Sequence, residues 1–236
     1  MGTNEFVWGS LIHLGRNGWS ESAAADHVRF DERLWHDVSE KLRAKGANTI
    51  VLSLGEAVRY PSHPELAVKG TWSVERLRAE LDRLRGMGFE VIPKLNFSAC
   101  HDTWLKDYHR MVSTKKYYQV CEDLTRDIAE IFDRPRFFHI GFDEECGGVQ
   151  TMCDYCVVRQ GDLFYHDFSW HAEMCEKYGM RPMAWADMGT GMTNGWEVSG
   201  ISRTDDGLTR VKEIAGFLPP KATATGNPRQ YRAEWD

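Results

Sequence analysis

No basic block appears anywhere in this sequence, and that absence already narrows the function. With 29 Lys and Arg against 35 Asp and Glu, the formal net charge is −6, which argues against nucleic acid or an anionic membrane surface as a partner. Nor does any apolar run reach the length of a bilayer span. The opening residues Met1-Gly2-Thr3-Asn4-Glu5-Phe6 lack a cationic stretch, and the apolar residues after them are too few and too broken for an export signal. Without such a leader, the six cysteines (Cys100, Cys121, Cys146, Cys153, Cys156 and Cys175) read as reduced thiols rather than as a disulfide framework. The expectation is a cytoplasmic protein, unless a leader precedes the sequence.

What is present is a repeated unit. An apolar strand, a long loop, an amphipathic helix and a glycine stop recur, with starts near residues 6, 48, 89, 136 and 181. The strands read as Phe6 to Leu14, Asn48 to Leu54, Phe89 to Phe97, Arg136 onward, and Arg181 to Asp187. Between them, apolar residues at helical spacing predict four helices: Leu34, Val38 and Leu42 after an Asp31 cap; Val74, Leu77, Leu81 and Leu84; Val120, Leu124, Ile128 and Ile131; and Phe164, Phe168, Ala172 and Cys175. Continuous apolar strands alternating with amphipathic helices define an α/β protein with a parallel sheet. The long loops always follow the strand, an asymmetry that matches a (β/α) TIM-type barrel better than a doubly wound sheet. Units of roughly 40 residues would need well over ~300 for eight, beyond the roughly 250 of a compact barrel. The expectation is a partial barrel of about five βα units over residues 1–188, a truncated version of a longer enzyme. Residues 189–236 then read as an irregular segment with one short helix at Leu208, Val211, Ile214 and Ala215. A partial barrel leaves an unpaired edge, so self-association is expected there.

The fourth strand carries the chemistry. Arg136-Phe137-Phe138-His139-Ile140-Gly141-Phe142-Asp143-Glu144-Glu145 starts as a buried strand and ends in three consecutive acids, which no core holds without partners. Mutual repulsion predicts that at least one of them keeps its proton to a higher pH than a free Glu, as a general acid must. The alternative is a solvated turn or the cap of the next helix.

His139-Ile140-Gly141-Phe142-Asp143-Glu144 resembles the H-x-G-G-D-E signature of family 20 glycoside hydrolases, the β-N-acetylhexosaminidases, with Phe142 in place of the second glycine. Three other strand ends agree. Ile92-Pro93-Lys94-Leu95-Asn96-Phe97-Ser98-Ala99-Cys100-His101 is similar to the family's P-E-I-D-x-P-G-H, with Lys94 and Asn96 replacing the acids and one extra residue before His101. Arg16 stands where these enzymes carry an arginine that holds the sugar's 3- and 4-hydroxyls, and Trp185 and Asp187 stand where they place a tryptophan and an acid in the pocket. The resemblance covers about residues 5 to 188. The later strands' tyrosine and tryptophans have no clear equivalents.

The resemblance implies hydrolysis of a 2-acetamido sugar in which the substrate's own amide oxygen attacks the anomeric carbon. Glu144 would be the general acid and Asp143 would orient the acetamido group, without a cofactor. His101 and His139 would tune the pair, or serve only as satisfied rim histidines. Trp185 would be a platform for the sugar's apolar face, or ordinary packing. Two further readings stay open: a non-catalytic carbohydrate-binding remnant, and a zinc hydrolase built on Cys146, Cys153 and Cys156 with His166 and His171. A single C-x-x-C without a second pair supports zinc only weakly.

Overall fold

The computed structural model describes residues 6–20, 22–185 and 187–190; the expected helix around Leu208 to Ala215 lies outside the described residues. Five strands form one parallel sheet in sequential order: β1 (Gly9–His13), β2 (Thr49–Ser53), β3 (Glu90–Lys94), β4 (Phe137–His139) and β5 (Arg181–Met183). Among the described residues β1 and β5 are its edges, so the sheet is an open, partial (β/α) barrel.

The crossovers are helices with readable signals. Asp31 caps α1 (Glu32–Ala44) by accepting the Leu34 N–H at 2.9 Å. Ser73 caps α2 (Val74–Gly86), which buries Leu77, Leu81 and Leu84 completely, at roughly 1.5–3 kcal/mol of burial each. Thr114 caps α3 (Lys115–Ile131), with Val120, Leu124, Ile128 and Ile131 inward. After β4 comes a short helix, α4 (Gly147–Met152), then α5 (Asp162–Lys177), which buries Phe164, Phe168, Ala172 and Cys175. A single turn, α6 (Asp187–Thr190), closes the described chain.

One predicted face is corrected in part, for Leu42 packs against the core as expected. Leu34 is 60% exposed, and α1 instead buries Trp35 and Ser39. Trp35 donates its indole N–H to Glu80 of α2, and Arg83 of α2 donates to the Ser39 hydroxyl at 3.2 Å. The large ring with a polar partner across the helix pair fixes the rotation of α1, one residue away from the Leu34 stripe.

The register places the site. His13 pairs with Ser53, Ser53 with Lys94, Lys94 with His139, and His139 with Met183. In-register residues of parallel strands point to the same face, so one row of tip residues runs across all five strands. It contains two imidazoles, a hydroxyl and an ammonium where an interior layer would ordinarily be aliphatic.

Candidate active site

The three acids follow β4, but not as strand residues. Past His139 the neighbours still clamp the chain: the Ile140 N–H donates to the Met183 carbonyl at 2.8 Å, the Phe97 N–H to the Ile140 carbonyl at 3.0 Å, and the Trp185 N–H to the Gly141 carbonyl at 3.0 Å. The backbone then turns left-handed at Gly141 (φ 83), Phe142 (φ 63) and Glu144 (φ 53). Gly141 has a second reason to be glycine, because a Cβ there would stand 2.1 Å from the Asn96 Oδ1. Two non-glycine residues in this region cost on the order of 1–3 kcal/mol each, a strain that persists only where the surroundings over-determine it. Phe142 shows how: its ring is buried among Phe164, Phe168 and His171, with the Arg159 guanidinium 4.7 Å from its centroid. A strand would send adjacent side chains to opposite faces; the left-handed turn lets all three acids reach the loop that follows β3.

Each acid takes a different part of that loop. Asp143 Oδ1 lies 3.0 Å from the Asn96 amide nitrogen and 2.6 Å from the Ser98 hydroxyl, while the Asp143 N–H donates to the same hydroxyl oxygen at 2.8 Å. The Ser98 Oγ is also 2.5 Å from the Asn96 Oδ1; its one proton goes to the better acceptor, the carboxylate. Glu144 Oε2 lies 3.2 Å from His101 Nε2. Glu145 is fully buried, accepts the Ala99 N–H at 2.9 Å and forms a two-pronged ion pair with Arg159. The loop is itself pinned: Trp104 donates to the Asn96 carbonyl at 2.8 Å, and Tyr117 and Arg159 donate to the Phe97 carbonyl at 3.0 and 2.6 Å.

Of the three acids it is Glu145 whose carboxyl is raised, by burial and against the Arg159 ion pair and the Ala99 N–H. Burial alone would raise the Asp143 carboxyl, but the charges of His101 and Lys94 and the hydrogen bonds from Ser98 and Asn96 outweigh it and hold it below the usual range. Beneath the acids, Lys94 is 1% exposed, and burial lowers its ammonium while Asp143 partly restores it. Burial and the Lys94 charge push His139 down to about 3, so it is neutral, and its Nδ1 accepts the Gly141 N–H at 3.2 Å. A further acid, Asp187, opens α6 just past β5: burial, reinforced by Asp143 and Glu144, lifts it to about 6, against the Glu144 N–H that it accepts at 2.9 Å.

Of the residues singled out in the sequence, Asp143, Glu144, His101, His139, Trp185 and Asp187 come together at one rim. Trp185 is 39% exposed and lies edge-on to His139 at 4.9 Å. Arg16 is exposed and lines a neighbouring cavity on the β1 side. It connects to the rim through the next residue, because Asn17 Oδ1 accepts from the Asn96 amide at 3.2 Å. Sequence reasoning missed Ser98, Asn17, Trp19, whose ring lies 4.6 Å from His101, and Arg159. Asn96 and Lys94 were visible only as replacements of the expected acids.

The cysteine loop does not assemble a zinc site. Cys146 and Cys153 are buried while Cys156 is exposed, His166 is bound to Asp167 at 3.1 Å, and His171 stacks on Phe97 at 4.6 Å. Among the described residues, the one group with converging metal-type ligand atoms is His101, Asp143 and Glu144, all within 4.8 Å of one another. No helix among them is long and apolar enough to cross a membrane.

This open barrel, with its acids at the tip of the fourth strand, has the fold of the family 20 β-N-acetylhexosaminidases. The N-acetyl-β-hexosaminidase of Streptomyces plicatus superposes with a TM-score of 0.61 at 14% identity, covering 93% of this chain and 47% of that one. The chitobiase of Flavobacterium johnsoniae gives 0.58 at 16%, covering 93% and 38%, and the family 20 exo-β-N-acetylglucosaminidase of Vibrio harveyi gives 0.56 at 15%, covering 83% and 37%. The chain thus spans less than half the length of these structures. No protein-family model and no curated protein sequence matches it.

Proposed function

We propose that this chain carries the acid pair of a glycoside hydrolase acting on 2-acetamido-2-deoxy sugars by substrate-assisted, retaining hydrolysis. The observation that carries the reading is the divergence of Asp143 and Glu144 from one strained turn. Asp143 is locked as a carboxylate by Ser98 and Asn96, and Glu144 is hydrogen-bonded to a buried imidazole. A carboxylate kept ionised suits the task of orienting the acetamido N–H and stabilising positive charge as the amide oxygen closes on the anomeric carbon. Glu144 delivers its proton to the leaving oxygen, and its carboxylate then draws a proton from the water that opens the cyclic intermediate. Trp185, partly exposed beside His139, offers a face for the sugar ring.

Two rival readings share the rim: a binding remnant without turnover, and a metal-assisted hydrolase holding its ion between His101, Asp143 and Glu144. One assay on an aryl 2-acetamido glycoside separates the three. Turnover that Glu144→Gln reduces by about 10²–10⁴-fold, the usual contribution of a general acid, supports the hydrolase. Binding without turnover supports the remnant, and turnover lost on chelation supports the metal.

A further inference from the structure

The two imidazoles of the rim each stand beside one partly exposed tryptophan, His139 beside Trp185 and His101 beside Trp19. The two rings are not held alike. His139 Nδ1 accepts the Gly141 N–H at 3.2 Å, a bond within its own strand end that fixes the plane of the ring. His101 is 2% exposed and its Nε2 lies 3.2 Å from the Glu144 Oε2, yet its buried Nδ1 meets no partner among the described residues. Toward the carboxylate form of Glu144, which only accepts, Nε2 carries the proton. The aim of an imidazole is ordinarily set by the hydrogen bond at its other nitrogen. Here no such bond opposes rotation about χ2, a torsion that is broad for histidine.

What stands against the ring is Trp19, with centroids 4.6 Å and planes 49° apart. An indole restrains a neighbour only if it is itself held, and Trp19 lies in the loop after β1. The next residue holds it. Ser20 is fully buried; its N–H donates to the Cys100 carbonyl at 2.9 Å, and its own carbonyl accepts from the Arg110 Nη2 at 3.2 Å. The Ser20 hydroxyl is hydrogen-bonded to that of Tyr155, which donates to Asp102 Oδ1 at 2.5 Å, while the Arg110 N–H donates to Asp102 Oδ2 at 2.8 Å. Asp102 is fully buried as well. Cys100 and Asp102 flank His101 in the chain, so the knot that fixes Trp19 is tied to the residues on either side of the imidazole it covers.

We infer that Trp19 is a positioning residue: latched through Ser20 to Tyr155 and Asp102, it aims the His101 Nε2–H at Glu144. This rests on the reading of Glu144 as the general acid. A hydrogen bond to a carboxylate is stronger than one to a carboxylic acid, so it favours the state in which Glu144 has passed its proton to the leaving oxygen. Its loss therefore falls on kcat rather than on KM.

The test compares Trp19→Leu, which keeps an apolar bulk without a π face, with Trp19→Phe, which restores one. In long-range proton–nitrogen correlation spectra the native protein should show a protected His101 Nε2–H, identified by its absence from His101→Gln. It should be lost to exchange with water in Trp19→Leu and kept in Trp19→Phe. On an aryl 2-acetamido glycoside, Trp19→Leu should lower kcat about tenfold or more, the fold-change of a hydrogen bond to a charged group. KM should change little, and Trp19→Phe should recover most of the loss. A signal that survives in Trp19→Leu overturns the inference, as does a native protein without one. A rise in KM at constant kcat also overturns it and makes Trp19 a wall of the cleft. If the native protein turns nothing over, the hydrolase reading fails on its own, and the spectra still decide whether Trp19 aims the imidazole.

Discussion

Glu144 and Glu145 are neighbours of identical chemistry in opposite circumstances. Glu144 is part-exposed at the rim beside His101; Glu145 is fully buried with Arg159, which also holds Asp167 at 3.0 Å. The difference arises at the backbone, where the left-handed turn at Phe142 and Glu144 sends one carboxyl out and the next one in. An acid run is therefore not a functional unit. The buried half tethers the loop that the exposed half needs, since Glu145 grips the Ala99 N–H one residue beyond Ser98, the donor to Asp143.

The largest effect expected from separating the two halves is on stability. Arg159→Met strands Glu145 and Asp167 in the core, and breaking a buried ion pair in this way costs about 3–5 kcal/mol. Urea unfolding should show that loss, and Arg159→Lys should recover little of it, because one ammonium cannot replace a fork that reaches Glu145, Asp167 and the Phe97 carbonyl. A loss below about 1 kcal/mol would mean that the inner acid is not the tether described. Glu144→Gln is the mirror image: the rim keeps a hydrogen-bonding partner for His101, so stability should change by less than about 1 kcal/mol while turnover collapses.

A smaller effect is expected at the joint between the halves. Ser98→Ala removes one charge-assisted hydrogen bond from Asp143, worth about 1.5–3 kcal/mol, and so lifts its depressed carboxyl by roughly one pH unit or more. The depressed value contributes stability that is present above the ordinary Asp range and lost as pH falls through the folded value. In the variant that loss begins at higher pH, so both acid unfolding and the acidic limb of kcat/KM should move upward. An unchanged acidic limb would separate Asp143 from the reaction.

Much of this architecture is legible in the sequence because it is periodic. The buried faces of α2, α3 and α5 follow from leucine, isoleucine and phenylalanine at helical spacing, and each of the five strands lies within its apolar run. Short elements carry no period, which is why the six-residue α4 and four-residue α6 went unseen. The α1 face was misplaced because one Trp35 with a partner on α2 outweighs a stripe containing Leu34. At the rim, the motif and the substitutions at Lys94 and Asn96 pointed to the right strand ends. The split between Glu144 and Glu145 was not legible, because it depends on Arg159, fourteen residues further on in a loop without pattern.

The smallest predicted effect tests whether the rim extends past β5 to the start of α6. Asp187 is held up at about 6 from an ordinary 3.8, first by burial and then by the charges of Asp143 and Glu144. A carboxyl raised in the folded state binds its proton more tightly there than in the unfolded chain, so between about pH 4 and 6 it makes the protein less stable as pH rises. The full shift corresponds to at most about 3 kcal/mol, and solvent at this partly exposed site screens it to roughly 1 kcal/mol. Asp187→Asn keeps an oxygen for the Glu144 N–H and removes the charge. It should therefore leave stability near pH 4 unchanged and raise it by about that amount at pH 7, flattening the pH profile of the melting temperature. A variant destabilised equally at both pH values would show that the carboxylate matters only as a hydrogen-bond acceptor. It would also show that the start of α6 does not share the electrostatic field of Asp143 and Glu144.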